Sequence, residues 1–323
     1  MHLRGALKIM NTTSLKSGGI ALACVLLLLC ALPAMAAVPA GEVAWWVWPL
    51  ALFALCFVLG LVAVPAGVGG GVLFVPIVGG FFPFHLDFVR SAGLLVALAG
   101  ALAAGPGLLR GGLADLRLAL PLALVASATS IVGALVGLAL PVAMVQTALG
   151  IAILCIVLIM WRSRQSEFPQ VDKPDWLSQA LKIHGVFHDS SRGRDIEWRV
   201  HRTPLGIAIF AFIGLLAGVF GLGAGWANVP ALNIVMGVPL RLSAGSSGLI
   251  LSIVDTSAAW VYIHKGALLA IVAAPSVIGM MLGARIGARL LETVEAAVIR
   301  RLVIAILVFA GLRALGRGTG IWS

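Results

Sequence analysis

Long apolar segments with almost no charge run through most of this chain. Of its 323 residues, 61% are hydrophobic and only 11% are charged, whereas soluble domains carry about 25% charged residues. Several segments reach the roughly 20 residues that a helix needs to cross a bilayer, and they lack the alternation typical of a membrane β-barrel. The sequence therefore predicts an all-α polytopic membrane protein surrounded by lipid. The apolar segments lie at roughly 44–64, 67–82, 89–109, 117–140, 143–161, 204–220, 222–237, 242–263, 266–283 and 295–312.

One long polar stretch, residues 162–203, interrupts these segments and carries eight Lys or Arg residues. Basic loops of membrane proteins stay in the cytoplasm, so we predict a basic cytoplasmic loop with a short surface helix starting at Asp175. The same rule accounts for the net charge of +10, and no nucleic-acid partner is expected. His184 and His188 have the i, i+4 spacing of a metal pair. Because no Cys or acidic residue accompanies them at a fixed spacing, we predict a solvated helix there, with no metal and no cofactor.

The N-terminal residues 1–40 have the layout of a secretory signal peptide. Basic residues precede an apolar run from Ile20 to Leu32, and the small residues around Ala34 and Ala36 resemble a cleavage site. An uncleaved N-terminal signal-anchor helix is the alternative. In both readings the N-terminus stays inside and the chain emerges on the outer side of the membrane near Ala40. We therefore predict a multi-pass protein of a bacterial-type inner membrane.

The segments on either side of the polar loop repeat each other, which divides the chain into a first transmembrane repeat at 41–161 and a second at 204–323. Their Gly and Ser motifs match in order at an offset close to 154. The Gly-rich block 67–71 with Pro76 matches 221–225 with Pro230, and the Ser-Ala-Gly at 91–93 matches that at 243–245. Further matches pair Gly112 with Gly266 and Pro121 with Pro275.

The number of membrane crossings decides the symmetry of the two repeats. The short segments 67–82 and 222–237 each open with a Gly cluster. If they cross, each half has five crossings and the repeats are inverted, which is a transporter architecture. If they are re-entrant, each half has four crossings and the repeats are parallel.

The doubled motif resembles a known family. The block Gly67–Pro76 and its partner Gly221–Pro230 resemble the signature of the sulfite exporter TauE/SafE family, and Ser243–Ser247 is similar to a small-residue stretch of that family. The resemblance covers residues 44–313. It implies a secondary membrane transporter, not an enzyme, that carries sulfite, a sulfonate or a related organosulfur anion by alternating access. An uptake carrier for a non-sulfur metabolite anion and a membrane scaffold that recruits a partner remain as alternatives.

An anion crossing lipid must exchange its water for protein donors, and helix N-termini supply such donors. Gly allows unusual backbone angles and leaves room for a ligand, and Pro interrupts a helix, so the two Gly/Pro blocks are predicted to be helix breaks that face each other around the substrate. Close packing of helices on glycine is the alternative. The candidate substrate-binding residues are Gly69, Gly70, Gly71, Pro76, Gly223, Gly225, Asn228, Pro230, Ser243, Ser246, Ser247, Arg90 and Arg241.

Asp255 is the carboxylate that lies deepest in an apolar segment. Because a charge at that depth is costly, such residues are functional or paired. We predict a proton relay that couples protons to the small anionic substrate. A structural hydrogen bond to a neighbouring helix is the alternative.

Overall fold

The computed structural model describes residues 44–63, 69–110, 112, 114–162, 169, 171, 173–189, 194–290 and 296–320. The expected signal segment at 1–40 and the first glycine of the first block, Gly67, lie outside the described residues. The helices of the first half are α1 (Val47–Ala63), α2 (Gly70–Phe81), α3 (Leu86–Arg110), α4 (Leu116–Ala139) and α5 (Val142–Arg162). Those of the second half are α7 (Thr203–Phe220), α8 (Gly225–Pro230), the π-helix π1 (Ala231–Val235), α9 (Leu240–His264), α10 (Ala270–Leu290) and α11 (Ala296–Gly318).

Six of the described helices are long and apolar enough to cross a membrane, namely α3, α4, α5, α7, α9 and α10, while α1 and α2 are shorter apolar helices. Large apolar side chains such as Leu124, Phe212 and Trp260 are exposed on the outer surface of the bundle. A water-soluble protein buries such groups, so the chain is a multi-pass membrane protein with lipid against this surface.

The two halves correspond helix by helix. The helices α3, α4 and α5 start 154 residues before α9, α10 and α11, respectively. The main helix interfaces repeat in the same way, because α1 packs on α10 as α7 packs on α4, and α3 packs on α10 as α9 packs on α4. The remaining large interfaces, α3 with α9 and α5 with α11, join equivalent helices of the two halves.

The contacts between α4 and its neighbours fix the helix directions in the second half. Along α4, Ala126 meets Gly214 and Ser130 meets Gly218, so α7 runs in the direction of α4. The Asp115 N–H donates to the Ser246 hydroxyl over 3.1 Å and the Ser130 hydroxyl donates to the carbonyl of α9 residue 254 over 3.3 Å, so α9 also runs in that direction. Because the consecutive long helices α7 and α9 run in the same direction, the chain between them, residues 221–239, must return from the end of α7 to the level at which α9 begins.

The same relation holds in the first half. Gly279 and Gly287 of α10 meet Phe53 and Gly60 of α1 in that order, so α1 runs in the direction of α10. The helix α10 follows α9 through the turn at 265–269 and therefore opposes it. Since α3 also opposes α9 (shown below), α1 and α3 share one direction, and the chain that includes α2 leads back between them.

Equivalent helices of the two halves run in opposite directions. At one end of the α3/α9 pair, the Arg90 guanidinium lies 5.6 Å from the centre of the Tyr262 ring. Farther along α3 and farther back along α9, Ala97 and Asp255 both lie against Gly223, so the two helices are antiparallel. In the α5/α11 pair, Thr147 meets Gly318 whereas residue 150 meets Leu315, which is also antiparallel.

The loop between the halves folds into a small module of helix α6 (Trp176–Ala180) and a hairpin of β1 (His184–Asp189) and β2 (Arg194–Arg199). The predicted surface helix is therefore correct. The predicted helix for His184 and His188 is wrong, because both lie on β1, in register with β2. Alternation along the strands explains this, since Trp198 packs inward while His184 is exposed. The His201 N–H donates to the Met236 carbonyl over 3.2 Å, which ties the module to the end of π1.

Candidate functional site

The two Gly-rich segments contact each other directly. A Cβ placed on Gly225 would lie 2.7 Å from the Gly69 nitrogen, and one on Gly71 would lie 2.6 Å from the Leu222 carbonyl oxygen. Real side chains do not tolerate such distances to a backbone, so both positions require glycine. The predicted juxtaposition of the two blocks is thus present as a backbone-to-backbone contact.

Each interruption lies before its short helix, at the glycines. In the second half, α7 ends at Phe220, and Gly221 and Gly223 adopt φ values of +67° and +73°, the left-handed region that favours glycine. In the first half, Gly69 is the residue that precedes α2.

The two prolines do not make the interruptions that we predicted from them. Pro76 lies inside α2, which continues through it to Phe81, so the expectation of a break at this residue is wrong. Pro230 is the last residue of α8 and is followed directly by π1. Since Pro lacks the N–H that an α-helix needs, the change of hydrogen-bond pattern after Pro230 has a local cause.

The second interruption lies along one face of α9. Gly223 packs against the Asp255 carboxylate and Gly225 against the Leu251 side chain, while the Asn228 amide donates to the carbonyl of Ser247 over 3.5 Å. Positions 247, 251 and 255 follow each other at four-residue spacing, which puts them on one helix face. This face of α9 therefore forms one wall of the site.

Three buried side chains on these elements carry polar atoms without hydrogen-bond partners among the described residues. They are the indole N–H of Trp226, the amide oxygen of Asn228 and both carboxylate oxygens of Asp255. Asn228 and Asp255 have 0% of their surface exposed and Trp226 has 8%. The Ala224 N–H faces the Asp255 carboxylate, yet neither oxygen accepts a bond of normal geometry. Since buried polar groups are nearly always paired, such a cluster is typical of a place that receives a polar ligand.

Of the three, Trp226 is the residue that sequence reasoning missed. It lies inside the second motif copy, where the first copy has Val72 at the equivalent position. That difference between the copies is the signal that could have identified it.

The three predicted serines lie beside the interruption, but their recorded contacts are with protein groups. The Ser243 hydroxyl donates to the Val238 carbonyl over 3.1 Å, and the Ser246 hydroxyl accepts from the Asp115 N–H. The carbonyl of Ser247 accepts from Asn228. In this conformation the hydroxyls of Ser243 and Ser246 fix the start of α9 against its neighbours.

Arg90 lies at the far end of the site and is engaged by protein groups. Its side chain is 1% exposed, pairs with Asp87, and donates to the carbonyls of Gly137 and Val219 over 3.0 and 2.8 Å. Tyr262 lies against its guanidinium and donates to the Gly218 carbonyl over 2.9 Å. This cluster, which we call the Arg90 cluster, joins α3, α4, α7 and α9.

Arg241 does not occupy an environment equivalent to that of Arg90. It is exposed at the start of α9, whereas Arg90 is buried. The structure therefore does not bring the two predicted arginines together as a pair.

A cavity of about 150 Å³ opens between α3 and α9 on the side opposite the Arg90 cluster. Its lining is mostly glycine and small side chains, and it includes Ser252, which is three residues before Asp255 on α9. One end of the α3/α9 interface is thus filled by Arg90 and Tyr262, while the other is open. The lining residues are Ala101, Leu102, Gly105, Gly245, Gly248, Leu249 and Ser252.

Comparison with known proteins gives one match. The family model of the sulfite exporter TauE/SafE matches residues 52–314. The match includes both Gly-rich interruptions, α9 and the cavity. None of the curated proteins and none of the solved structures compared with the chain matches it.

Proposed function

The chain belongs to the sulfite exporter TauE/SafE family, and we propose that it is a secondary transporter that carries sulfite, a sulfonate or a related organosulfur anion across a bacterial-type inner membrane. The family is one of membrane transporters of sulfur anions, so an enzymatic activity is not expected. The observation that carries the proposal is the contact between the two matched Gly-rich interruptions, with unpaired buried polar groups beside it.

The substrate is proposed to bind between the interruption that precedes α2 and the one that precedes α8. The glycines at 69–71 and 223–225 bring two stretches of backbone together without side chains of their own between them, and the start of α2 adds the partial positive charge of a helix N-terminus. Because the two backbones touch in this conformation, they must separate to admit the anion. Asn228 and Ser247 lie at one end of this region and Asp255 at the other. The region combines hydrogen-bond donors with small side chains, and this combination suits a small oxyanion.

We propose that the repeats are inverted and that each half crosses the membrane five times. The directions of the helices support this, because α1 and α3 share one direction, as do α7 and α9, so the short segments between them must return. The opposite directions of α3 and α9, and of α5 and α11, support a pseudo-twofold axis in the membrane plane.

Alternating access is proposed to operate by movement of the two halves around this site. With the basic loop 162–203 in the cytoplasm, α5 ends inside, so the cavity between α3 and α9 faces the cytoplasm and the Arg90 cluster faces the exterior. We propose that this conformation is inward-open, with the exterior side closed. Opening the exterior requires the bonds of Arg90 and Tyr262 to release.

Counterflow in proteoliposomes tests the proposed function. Purified protein is reconstituted with labelled sulfite, thiosulfate or a small alkanesulfonate, and saturable exchange of at least one of them is expected. Exchange of a non-sulfur carboxylate alone would favour the alternative metabolite carrier. Absence of exchange for every anion, with the protein folded, would favour the scaffold.

A further inference from the structure

Resting on the proposed function, we propose that the site binds one singly charged oxyanion together with one proton, with the Trp226 indole N–H and the protonated Asp255 carboxyl as hydrogen-bond donors to the anion. The geometry behind this is a buried carboxyl and a buried indole N–H on the two elements that form the second interruption, both lacking partners among the described residues. An ionised carboxylate would repel an anion, so the anion binds beside Asp255 only when the carboxyl holds a proton.

Among the described residues, no charged side chain lies against the Asp255 carboxylate, and the one polar group that faces it is the Ala224 N–H. The carboxylate lies next to Gly223 and the backbone of Ala224, and the methyl group of Ala97 also packs against Gly223. An isolated buried charge is costly, so the carboxyl is stable here in its neutral form. Asp87 and Arg90 pair with each other. The titratable or charged residues of α3, α4 and α9, the helices packed around the carboxyl, lie toward the helix ends and are Asp87, Arg90, Arg110, Arg117, Arg241, Tyr262 and His264.

Trp226 supplies a donor that needs no proton exchange. The indole nitrogen can only donate a hydrogen bond, and 92% of the residue is buried, so its N–H has no access to water. Trp226 lies three residues after Gly223, the glycine that contacts the Asp255 carboxylate. The oxygens of an oxyanion accept hydrogen bonds from an indole N–H and from a protonated carboxyl alike.

Only the second repeat carries these polar residues at the equivalent positions. At the 154-residue offset of the repeats, Trp226, Asn228 and Asp255 correspond to Val72, Phe74 and Ala101, which are apolar. The pseudo-twofold axis therefore does not generate a second polar set. We infer a stoichiometry of one proton and one anion in each transport step, with the proton taken from water on the open side and returned to water on the other.

Proton uptake on binding tests this directly. The probe is methanesulfonate, which does not titrate near neutral pH, added to purified protein in weakly buffered detergent solution. Uptake is measured over a range of pH, because a carboxyl that already holds its proton takes up none. In the wild type, uptake is expected to rise toward one proton per bound anion, and anion affinity to fall, as the pH is raised far enough to ionise the free carboxyl, whereas Asp255→Asn is expected to show neither change. Binding by the wild type with no proton uptake and no loss of affinity at any pH would overturn the inference while leaving the proposed transport function intact.

Transport of the same variant provides a second, independent measurement. The amide of Asp255→Asn is neutral and retains an N–H donor, so counterflow is expected to persist while accumulation driven by a pH gradient is lost. A folded variant that still responds to the gradient, or one that loses counterflow as well, would contradict the inference. Failure of the wild type to exchange any sulfur anion would instead refute the proposed function, on which this inference rests.

Trp226→Phe tests the second donor, with Trp260→Phe as the matched control. Phe keeps most of the ring but removes the N–H, and a lost hydrogen bond to a charged ligand predicts a rise of about tenfold or more in the KM for counterflow. Trp260 is on α9 with 69% of its surface exposed, so its replacement is expected to leave KM unchanged. Equal KM values for the two variants would remove Trp226 from the site.

Discussion

Replacing Tyr262 by Phe is expected to loosen the Arg90 cluster without unfolding the protein. Phe keeps the ring that packs against the Arg90 guanidinium at 5.6 Å, but it removes the hydroxyl that donates to the Gly218 carbonyl over 2.9 Å. A neutral hydrogen bond contributes about 1 kcal/mol net. If that bond exists only in the closed state, its loss raises the fraction of opened molecules about fivefold.

Hydrogen–deuterium exchange measures this opening. The amide of Gly221, which donates to the Ala217 carbonyl over 2.9 Å at the end of α7, lies next to the Tyr262 contact and reports its release. In Tyr262→Phe we expect peptides containing this amide to exchange about five times faster, since exchange follows the equilibrium for local opening. Peptides that line the cavity between α3 and α9 are expected to exchange no faster than in the wild type.

Thr256→Val is the matched control. The Thr256 hydroxyl donates to the Ser252 carbonyl over 2.6 Å within α9, on an exposed face of the helix. Its loss therefore removes a hydrogen bond from α9 without changing a contact between α9 and another helix. Unchanged exchange at Gly221 in Tyr262→Phe, or an equal increase in both variants, would refute the assignment of the Arg90 cluster as the closed side.

Three further perturbations test other parts of the account. Gly248→Phe fills the cavity. Because an added Cβ at this glycine has no atom within 4 Å, a thermal-shift assay should give an unchanged melting temperature, while a transport assay should show that counterflow falls at least tenfold. Arg313 donates to the carbonyl of α2 residue 80 over 2.7 Å, so Arg313→Gln should destabilise the protein by about 1–2 kcal/mol through loss of a cation at a helix C-terminus, whereas exposed Arg117→Gln should not; equal melting temperatures would contradict this. Cysteines replacing Trp45 and His85, before α1 and α3, should be labelled from the same side of the membrane; labelling from opposite sides would rule out five crossings in each half.

The apolar segments and the repeat could be read from the sequence because both are local properties. The predicted spans at 117–140 and 143–161 differ from α4 and α5 by a single residue at each end. The 154-residue offset seen in the Gly motifs reappears in the starts of three helix pairs. The glycines of the motif marked the backbone contact correctly, since close approach requires them wherever the partner lies in the sequence.

The roles of Arg90 and Trp226 could not be read in this way. Arg90 bonds to carbonyls 47 and 129 residues away, and those bonds depend on how α4 and α7 pack. A Trp in an apolar segment usually fills space. Only the tertiary structure reveals that the indole N–H of Trp226 has no hydrogen-bond partner in the part of the chain that the structure describes.

Two expectations were wrong. Pro76 was expected to end a helix, but α2 continues through it from Gly70 to Phe81. His184 and His188 fit a helix by spacing, yet the alternation of β1 and its pairing with β2 override that pattern.

Flux of sulfite or an alkanesulfonate through the paired interruptions tests the central claim most directly. Gly225→Leu places a side chain against the Gly69 backbone. The added Cβ of Gly69→Ala meets the flexible end of Leu251 at 3.0 Å and the Gly225 Cα at 3.4 Å, so this variant should fold. Ala143→Leu, on an exposed face of α5, is the control. The account predicts that Gly225→Leu abolishes counterflow, that folded Gly69→Ala reduces it strongly, and that the control transports normally. Normal flux in folded Gly225→Leu and Gly69→Ala would contradict the assignment of the transport site.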